Sequence, residues 1–279
     1  MPLLTLVSPE PDAVRQAIDA VGGSADWLGE GAADVETGMT TVEIAEALSG
    51  LPVDFAHQAM LGRRKRLFIA DMDSTIISCE CLDELADFAG LKDKIAAITE
   101  RAMRGELEFE SALRERVGML QGLPLDALQQ TYDERVRLNP GAETLVRTMA
   151  ANDTRCVLVS GGFKFFTSRV AAAAGFHADR ANTLLDDGAT LTGRVGEPIL
   201  GKAAKLAALE EEAAALDIPL TSALAVGDGA NDLAMIKAAG LGVAYRAKPI
   251  VAAEAAARVH YADLTALLYF QGYRQSQFV

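Results

Sequence analysis

Two aspartates separated by one residue, Asp71 and Asp73, are the side chains best placed to do chemistry. They directly follow the apolar run Leu67–Ala70, which is typical of a strand buried on both faces of a parallel sheet. Ligand sites of open α/β sheets lie beyond the carboxyl ends of the strands, so both carboxylates can face one crevice. The alternative interpretation is that Asp73 or Ser74 only caps the next helix.

Two further polar motifs follow apolar runs in the same way. Ser-Gly-Gly at 160–162 comes directly after the run 156–159, and Gly-Asp-Gly-Ala-Asn-Asp at 227–232 comes directly after the run 223–226. The carboxyl ends of neighbouring parallel strands meet at one edge of a sheet. The three motifs are therefore expected to share one site.

The shared edge would gather four carboxylates, those of Asp71, Asp73, Asp228 and Asp232. Four negative charges in one crevice repel each other strongly unless a cation holds them. Oxygen ligands without His or Cys favour a hard ion, so the expected cofactor is Mg²⁺.

The Ser-Gly-Gly motif has the composition of a phosphate cradle. The Ser160 hydroxyl and the N–H groups of Gly161 and Gly162 precede a predicted helix N-terminus, which favours anions. Beside such a cradle, a metal-held carboxylate can attack phosphorus and form an acyl phosphate. A second acid such as Asp73 can protonate the leaving oxygen and later activate water.

The composition of the chain argues against several classes of partner and of cellular location. The chain has 279 residues, half of them hydrophobic, and a net charge of -13, which disfavours nucleic acid and anionic membranes as partners. No apolar run is long enough to span a membrane. The start of the chain lacks the features of a signal peptide, and three cysteines do not suggest a disulfide framework. We therefore expect a cytoplasmic protein.

Strands alternate with helices through the second half of the chain. Strands are predicted at 156–159, 179–185, 223–226 and Leu241–Tyr245, and the last of these is expected to be the final strand. This alternation is typical of an α/β fold in which a parallel sheet is wound on both faces.

A helix-rich block separates the first core strand from the others. Helical periodicity is found at Cys81–Phe88, Lys92–Met103, 109–120 and 125–136, with no convincing buried strand. An all-helical insertion at about 81–139 is expected to cover the acidic loop as a small cap.

Two units are predicted along the chain. Residues 1–62 would form a small α/β module, and residues 63–279 would form the core with its cap. The tract 57–66 ends in four consecutive basic residues, and a basic run of this kind usually marks a solvated surface. We interpret the tract as a linker.

The motifs resemble, in order, those of the haloacid dehalogenase-like superfamily of aspartyl phosphatases. The matching segments are Asp-Met-Asp-Ser-Thr at 71–75, Ser-Gly-Gly at 160–162, a lysine within 202–205 and the acidic motif at 227–232. The resemblance implies a Rossmann-like core in which the helical insertion is the family's small cap.

Within this superfamily the chain is similar to the phosphoserine phosphatase family over about residues 66–270. Beyond the shared motifs, the likeness rests on Glu80, on residues 103–109, on Arg116 and on the Ala-Lys-Pro turn at 247–249. It implies Mg²⁺-dependent hydrolysis of O-phospho-L-serine through a phosphoaspartyl intermediate, the last step of serine biosynthesis.

The likeness also implies a role for each matching residue. Asp71 would be the nucleophile, and Asp73 the general acid and base. Asp71, the backbone carbonyl of Asp73 and Asp228 would bind the metal, with Asp232 supporting its water shell. The residues implied to bind substrate are Glu80 (amino group), Met103 and Phe109 (closure over the serine moiety), Arg116 (carboxylate), Ser160, Gly161 and Lys205 (phosphoryl group), and Asn231.

Lys202 competes with Lys205 for the phosphate-binding role. The two lie three residues apart, roughly on one helix face, and each has a leucine four residues further on. Lys205 is preferred because choosing Lys202 makes the stretch to Asp228 about one helical turn longer than the family pattern.

The N-terminal module resembles, weakly, the ACT-like region that precedes some bacterial phosphoserine phosphatases, although it looks short for a full copy. Residues 3–7 favour a strand and Pro11–Val21 a helix, whereas 33–36 and 39–44 are weak, alternating segments. Serine sensing, a homodimer formed through this module, and simple packing are the hypotheses for its role.

Other activities stay open on sequence alone. The aspartyl phosphate could pass to an alcohol acceptor such as homoserine, or the substrate could be another small phosphate ester. Glu80 and Arg116 favour an amino-acid substrate. A non-catalytic serine sensor is disfavoured because both Asp71 and Asp73 are present. Dehalogenation is disfavoured because that chemistry does not call for Asp73.

Overall fold

The N-terminal part of the chain folds into a βαββαβ unit with antiparallel strands. The computed structural model describes residues 2–103 and 106–279. The six elements of the unit are β1 (Pro2–Val7), α1 (Pro11–Val21), β2 (Ser24–Gly29), β3 (Ala32–Glu36), α2 (Thr41–Ala47) and β4 (Asp54–Ala59). This element order is that of the ferredoxin-like motif. All six elements are present, and the ACT-like interpretation of the unit stays a prediction.

One segment of this unit differs in type from its prediction. The alternating residues 39–44 indicate an extended segment, but residues 41–44 form the first part of α2. The helix is fixed at its start by a capping box, in which the side chains of Thr40 and Glu43 each bond the other's backbone N–H. The sequence carried this signal in the Thr-x-x-Glu pattern, which the alternation of apolar residues obscured.

The prediction that the tract 57–66 is a solvated linker is only partly right. Residues 59–62, Arg64 and Arg66 are exposed, whereas Arg63 and Lys65 are not. Its first residues belong to β4, and Lys65 is buried. The Arg63 guanidinium forms a nearly buried ion pair with Asp34, with Nη1 2.6 Å from Oδ2. It also donates to the carbonyls of Tyr269 and Phe270. The tract therefore joins the N-terminal unit to the end of the chain.

Six of the remaining described strands extend the same sheet, and the other two form a separate hairpin. They are β5 (Leu67–Ala70), β6 (Arg155–Phe163), β7 (Ala178–Asn182), the separate hairpin β8 (Leu184–Asp186) and β9 (Leu191–Val195), then β10 (Ala223–Gly227), β11 (Leu241–Tyr245) and β12 (Ala257–Val259). The described strands follow the order β2–β3–β1–β4–β12–β11–β10–β5–β6–β7, and pairing is parallel from β12 to β7.

The predicted α/β fold with a parallel core sheet is confirmed. The expectation that β11 is the final strand is wrong, because β12 follows it. β12 has only three residues, which is too short for hydrophobic periodicity to reveal it.

Four of the described α-helices lie within residues 81–139, between β5 and β6 in the chain. They are α3 (Cys81–Phe88), α4 (Lys92–Met103), α5 (Phe109–Gly118) and α6 (Asp126–Arg135). Loop hydrogen bonds dock this insertion onto the β8–β9 hairpin, where the N–H of Gly122 donates to the Leu191 carbonyl at 2.8 Å. The insertion lies where the cap was expected.

Helices cover both faces of the core sheet. The helices after the cap are α7 (Ala142–Ala150), α8 (Lys164–Ala174), α9 (Lys202–Ala215), α10 (Leu233–Ala238), α11 (Pro249–Glu254) and α12 (Ala266–Phe270). Buried residues of α9, α10 and α11 pack on one face, and those of α7, α8 and α12 pack on the other. None of the described helices has both the length and the apolar character needed to cross a bilayer.

The N-terminal unit meets the core at a seam between β4 and β12. The two strands pair antiparallel, with Phe55 opposite Arg258. Next to this pair, the buried Asp54 carboxylate accepts hydrogen bonds from the three consecutive N–H groups of residues 260–262. The units thus share one continuous sheet, while the division at residues 62 and 63 stays a prediction.

Candidate active site

Asp71 lies at the carboxyl end of β5, where the chain turns sharply. Its backbone N–H still donates to the Val226 carbonyl of β10 at 3.0 Å. The irregular turn Met72–Ile76 follows, and Ser74 within it has a left-handed backbone with φ of 57°, which non-glycine residues seldom adopt. This turn brings Asp71 and Asp73 to the wall of one cavity.

Three carboxylates converge next to this cavity. Oxygens of Asp71, Asp228 and Asp232 lie within 4.8 Å of one another. The Lys205 ammonium of α9 donates to Asp71 Oδ1 at 2.6 Å and also to Asp232 Oδ1. Gly227 has to be glycine here, because a Cβ at this position would lie 2.4 Å from the Asp232 Cγ.

Burial and mutual repulsion dominate the electrostatics of this acid cluster. Burial raises the pKa of Asp71 well above its usual value; the Asp232 charge raises it further, and Lys205 lowers it. Burial, and then the Asp232 charge, raises the pKa of Asp228 to about 6. Burial alone would lower the pKa of Lys205, but the attraction of Asp71 and Asp232 outweighs it and the net shift is upward.

The acid cluster has the composition of a site for a hard divalent cation. Its side-chain donors are carboxylate oxygens, which suit Mg²⁺. Three carboxylates and one ammonium leave two negative charges in excess when all are ionised, and a divalent cation would offset them. The predicted ligand set of Asp71, Asp73 and Asp228 overlaps this cluster, in which Asp232 supplies the third side chain.

The Asp73 side chain turns away from the acid cluster. Its Oδ1 accepts the Cys81 N–H at 2.9 Å, and its Oδ2 accepts the Ser160 hydroxyl at 3.1 Å. Burial, followed by repulsion from Glu80, raises the pKa of Asp73 to about 6, against the hydrogen bonds that lower it. The Asp73 carboxyl is thus held beside the predicted phosphate cradle.

Some polar groups of the Ser-Gly-Gly cradle already form hydrogen bonds within the protein. The Gly162 N–H donates to the Ser160 Oγ at 2.8 Å, and a Cβ at Gly162 would lie 3.0 Å from the Asp73 Oδ2. A Cβ at Gly161 would lie 3.4 Å from the Phe109 ring. Both glycines therefore permit close packing between the cradle, the catalytic loop and the cap.

The cap and the residue that precedes it contribute further groups to the cavity wall. Glu80 Oε1 accepts the Ser74 hydroxyl at 2.7 Å. The partly buried Arg116 donates from Nη1 to the Thr99 hydroxyl at 3.3 Å. Burial lowers the pKa of Arg116, and the charges of Asp83 and Glu80 oppose this shift. An acid and a base of the cap thus face the same space as the catalytic loop.

The structure brings most of the predicted site residues to one cavity of about 350 Å³. The predicted residues that line it are Asp71, Asp73, Glu80, Phe109, Arg116, Ser160, Gly161, Asp228 and Asn231. Lys205 and Asp232 lie next to it, in the acid cluster. Lys205 was predicted to bind the phosphoryl group. In the structure its ammonium group contacts the carboxylates of Asp71 and Asp232. The side chains of Met103 and Lys202 lie outside the described residues.

Sequence reasoning missed several residues of this wall. Asp83 and Thr99 line the cavity from the cap, and Lys248 lines it from the core. Asp83 lies one helical turn after Glu80, so helical spacing could have indicated it. Lys248 was noted within the Ala-Lys-Pro turn without a role. Its N–H donates to the Asp228 carbonyl at 3.1 Å.

The chain is similar to known proteins in sequence and in fold. Residues 68–237 match the sequence model of the haloacid dehalogenase-like hydrolases. A phosphoserine phosphatase from Polaromonas is 42% identical over 228 residues, which cover 80% of this chain and 97% of the relative. The chain belongs to the phosphoserine phosphatase family of these hydrolases.

Two further members of the phosphoserine phosphatase family extend the comparison. A Streptomyces coelicolor phosphoserine phosphatase is 42% identical over 240 residues, or 85% of this chain, and the chain spans 58% of that protein's length. The unliganded crystal structure of a probable phosphoserine phosphatase from Vibrio cholerae superposes with a TM-score of 0.84 at 32% identity. It covers 99% of this chain and 88% of the other. The similarity to that structure therefore includes the N-terminal unit.

Proposed function

We propose that the chain hydrolyses O-phospho-L-serine to L-serine and phosphate in a Mg²⁺-dependent reaction through a phosphoaspartyl intermediate, as the last step of serine biosynthesis in the cytoplasm. The observation that carries the proposal is the shared cavity. It joins the catalytic loop, the Ser-Gly-Gly cradle and the acid cluster to an acid and a base of the cap. Family membership supports the same assignment.

The substrate has three charged groups, and the cavity offers a counterpart for each. Glu80 would bind the ammonium group and Arg116 the carboxylate, since a guanidinium binds a carboxylate through two parallel hydrogen bonds. Ser160, Gly161 and Asn231 would hold the phosphoryl oxygens. Phe109, with Met103, would close the cap over the serine moiety and exclude water.

Asp71 would attack phosphorus. Its Oδ1 is bonded to Lys205, so Oδ2 is the oxygen left to form the new O–P bond as the seryl O–P bond breaks. Asp73 would give its proton to the departing seryl oxygen. In the second half it would take a proton from water, whose oxygen attacks phosphorus, releases phosphate and restores the Asp71 carboxylate. A pKa of about 6 suits a group that must both give and take a proton.

Mg²⁺ would be held by the carboxylates of Asp71 and Asp228 and by the Asp73 backbone carbonyl, with Asp232 supporting its water shell. When bound, the ion would neutralise the acid cluster and stabilise negative charge on the phosphoryl group. Lys205 would fix Asp71 and Asp232 in place and add to the positive charge that faces the phosphoryl oxygens.

The test is phosphate release from O-phospho-L-serine by the purified chain, with Mg²⁺ and with EDTA. We expect phosphate and L-serine in equal amounts, no turnover in EDTA, and no turnover by Asp71→Asn. Asp19→Asn is the matched control, because Asp19 is exposed on α1. Full activity of Asp71→Asn, or hydrolysis of other phosphate esters in preference to phosphoserine, would contradict the proposal.

A further inference from the structure

A second cavity, of about 450 Å³, lies at the seam between the N-terminal unit and the core. We call it the seam cavity. Phe55, Ala244 and Arg258 line it from the strands, Ala45 from α2 and Ala252 from α11. Helices α1 and α2 pack on strands of the N-terminal unit, and α9, α10 and α11 pack on strands of the core. The gap between these two sets of helices lies above β4 and β12.

Two arginines border the seam cavity without a carboxylate partner among the described residues. The Arg246 guanidinium lies 5.2 Å from the centre of the Tyr245 ring, a contact that leaves its charge unneutralised. Arg258 stands opposite Ala244 of β11 and Phe55 of β4, so these three side chains share one face of the sheet. Arg246 follows the carboxyl end of β11. In the part of the chain that the structure describes, neither exposed guanidinium makes a hydrogen bond or an ion pair.

The carboxylates near the seam cavity do not neutralise these arginines. Asp54 lines the cavity, but its oxygens already accept three backbone N–H groups. Glu46 and Arg258 border an adjoining shallow hollow, and no ion pair joins them among the described residues. Two unpaired arginines in a concave surface create a local positive potential that attracts anions, in a chain whose net charge is -13.

The seam cavity and the active-site cavity share one loop. Arg246 and Ala247 line the seam cavity, and the next residue, Lys248, lines the active-site cavity. The Arg246 N–H donates to the Val259 carbonyl of β12 at 2.8 Å, and the Lys248 N–H donates to the Asp228 carbonyl at 3.1 Å. A ligand on Arg246 would therefore contact the loop that holds one member of the acid cluster.

We propose that the seam cavity binds a small organic carboxylate without a cationic group, through Arg246 and Arg258, and that its occupancy changes turnover. Guanidinium groups match the planar geometry of carboxylates, and the alanine-rich wall suits a compact apolar body. An ammonium group would compete for the Asp54 carboxylate with three backbone N–H groups that it already accepts, and Asp54 is the acid among the described residues that line this cavity. The effect on turnover rests on the proposed function, whereas the binding does not.

Malonate is a suitable probe, because its two carboxylates can each meet one guanidinium. We would measure its binding to the full chain by calorimetry in EDTA, for the wild type, the double variant Arg246→Met/Arg258→Met, and Arg194→Met. Arg194 is the matched control, since it is also exposed but lies on β9. We expect the double variant to bind at least about tenfold more weakly, and Arg194→Met to bind like the wild type.

A third variant, Arg116→Met, separates the two cavities. Malonate binding that is lost in Arg116→Met and kept in the double variant would place the probe in the active-site cavity and overturn the proposal. Absence of binding to the wild type at about 10 mM malonate, well above a millimolar Kd, would also overturn it. L-serine binding that depends on Arg246 and Arg258 would contradict the exclusion of cationic ligands.

The coupling is tested by phosphoserine hydrolysis with and without malonate at saturating Mg²⁺. We expect a change of at least about twofold in kcat or KM for the wild type and Arg194→Met, and none for the double variant. Unchanged rates with intact binding would overturn the coupling. If phosphoserine is not hydrolysed at all, the proposed function fails, while the calorimetry still decides whether the seam cavity binds a carboxylate.

Discussion

The active-site cavity and the seam cavity lie along one sheet but are built differently. In the active-site cavity the two aspartates of the catalytic loop are held by protein partners: the buried Asp71 by Lys205 and the partly buried Asp73 by Ser160. In the seam cavity the exposed Arg246 and Arg258 guanidinium groups have no ion pair or hydrogen bond to any described residue. Charges fixed before the reaction suit catalysis, which gains most from preorganised groups. Mobile cationic side chains suit reversible binding of an anion. Binding orders these side chains, and the entropy that they lose keeps the affinity moderate.

The largest effect is expected from removing the fixed cation of the active site. Lys205→Met leaves Asp71 and Asp232 buried without their partner, so the free energy of unfolding in EDTA should fall by about 3–5 kcal/mol. Phosphoserine turnover should fall at least about a hundredfold. Chemical denaturation and initial rates measure the two effects.

Lys94→Met is the matched control for that variant, because Lys94 is exposed on α4. It should leave both stability and rate nearly unchanged. If Lys205→Met were as stable and as active as Lys94→Met, the claim that Lys205 holds Asp71 and Asp232 in place for catalysis would be wrong.

A smaller effect is expected at Arg63, which joins the two units away from both cavities. Its guanidinium is nearly buried against Asp34 and two carbonyls of α12. Arg63→Met should therefore lower the free energy of unfolding by about 3 kcal/mol, while kcat and KM stay as in the wild type. Arg194→Met is the control for the lost charge. Loss of kcat without loss of stability would show that the link between the units acts on catalysis.

The smallest effect is expected at Lys248, a free charge within the active-site cavity. Five carboxylates line this cavity, and Arg116 and Lys248 are the basic residues among its described lining. Lys248→Met should raise the KM for phosphoserine by about three- to tenfold, with kcat nearly unchanged, because the substrate is anionic.

Lys248→Arg should keep the wild-type KM, since it keeps the charge at this position. The increase in KM caused by Lys248→Met should shrink at high salt, because screening weakens long-range attraction. A fall in kcat with an unchanged KM would instead assign Lys248 to the positioning of Asp228.

Much of the candidate site could be predicted because its residues stand in short motifs at strand ends. Each of these motifs follows an apolar run, as do Asp71, Asp73, Ser160 and Asp228. Because the carboxyl ends of neighbouring parallel strands meet at one edge of a sheet, these residues are predicted to lie close together. Glu80 and Arg116 lie on the cap, and their place in the cavity was indicated only by the resemblance to the phosphoserine phosphatase family. The structure brings all of these residues to one cavity.

The features that were missed depend on contacts between distant residues. The ion pair of Arg63 with Asp34 removes from solvent a basic side chain that composition alone assigns to the surface. β12 is a strand because β4 and β11 flank it, since its own three residues carry no readable period. The bonds of Lys205 to Asp71 and Asp232 depend on how α9 packs against the ends of β5 and β10. Local patterns do not encode such packing.

The most direct test of the central claim is to find the phosphoryl group on Asp71. The purified chain would be mixed with phosphoserine and Mg²⁺, quenched in acid and treated with borohydride, which reduces an aspartyl phosphate to homoserine. Peptide mass spectrometry should find homoserine at position 71 in the substrate-treated wild type and in no other position. Reduction at Asp73, Asp228 or Asp232, or no reduction in a sample that is turning over, would contradict the account.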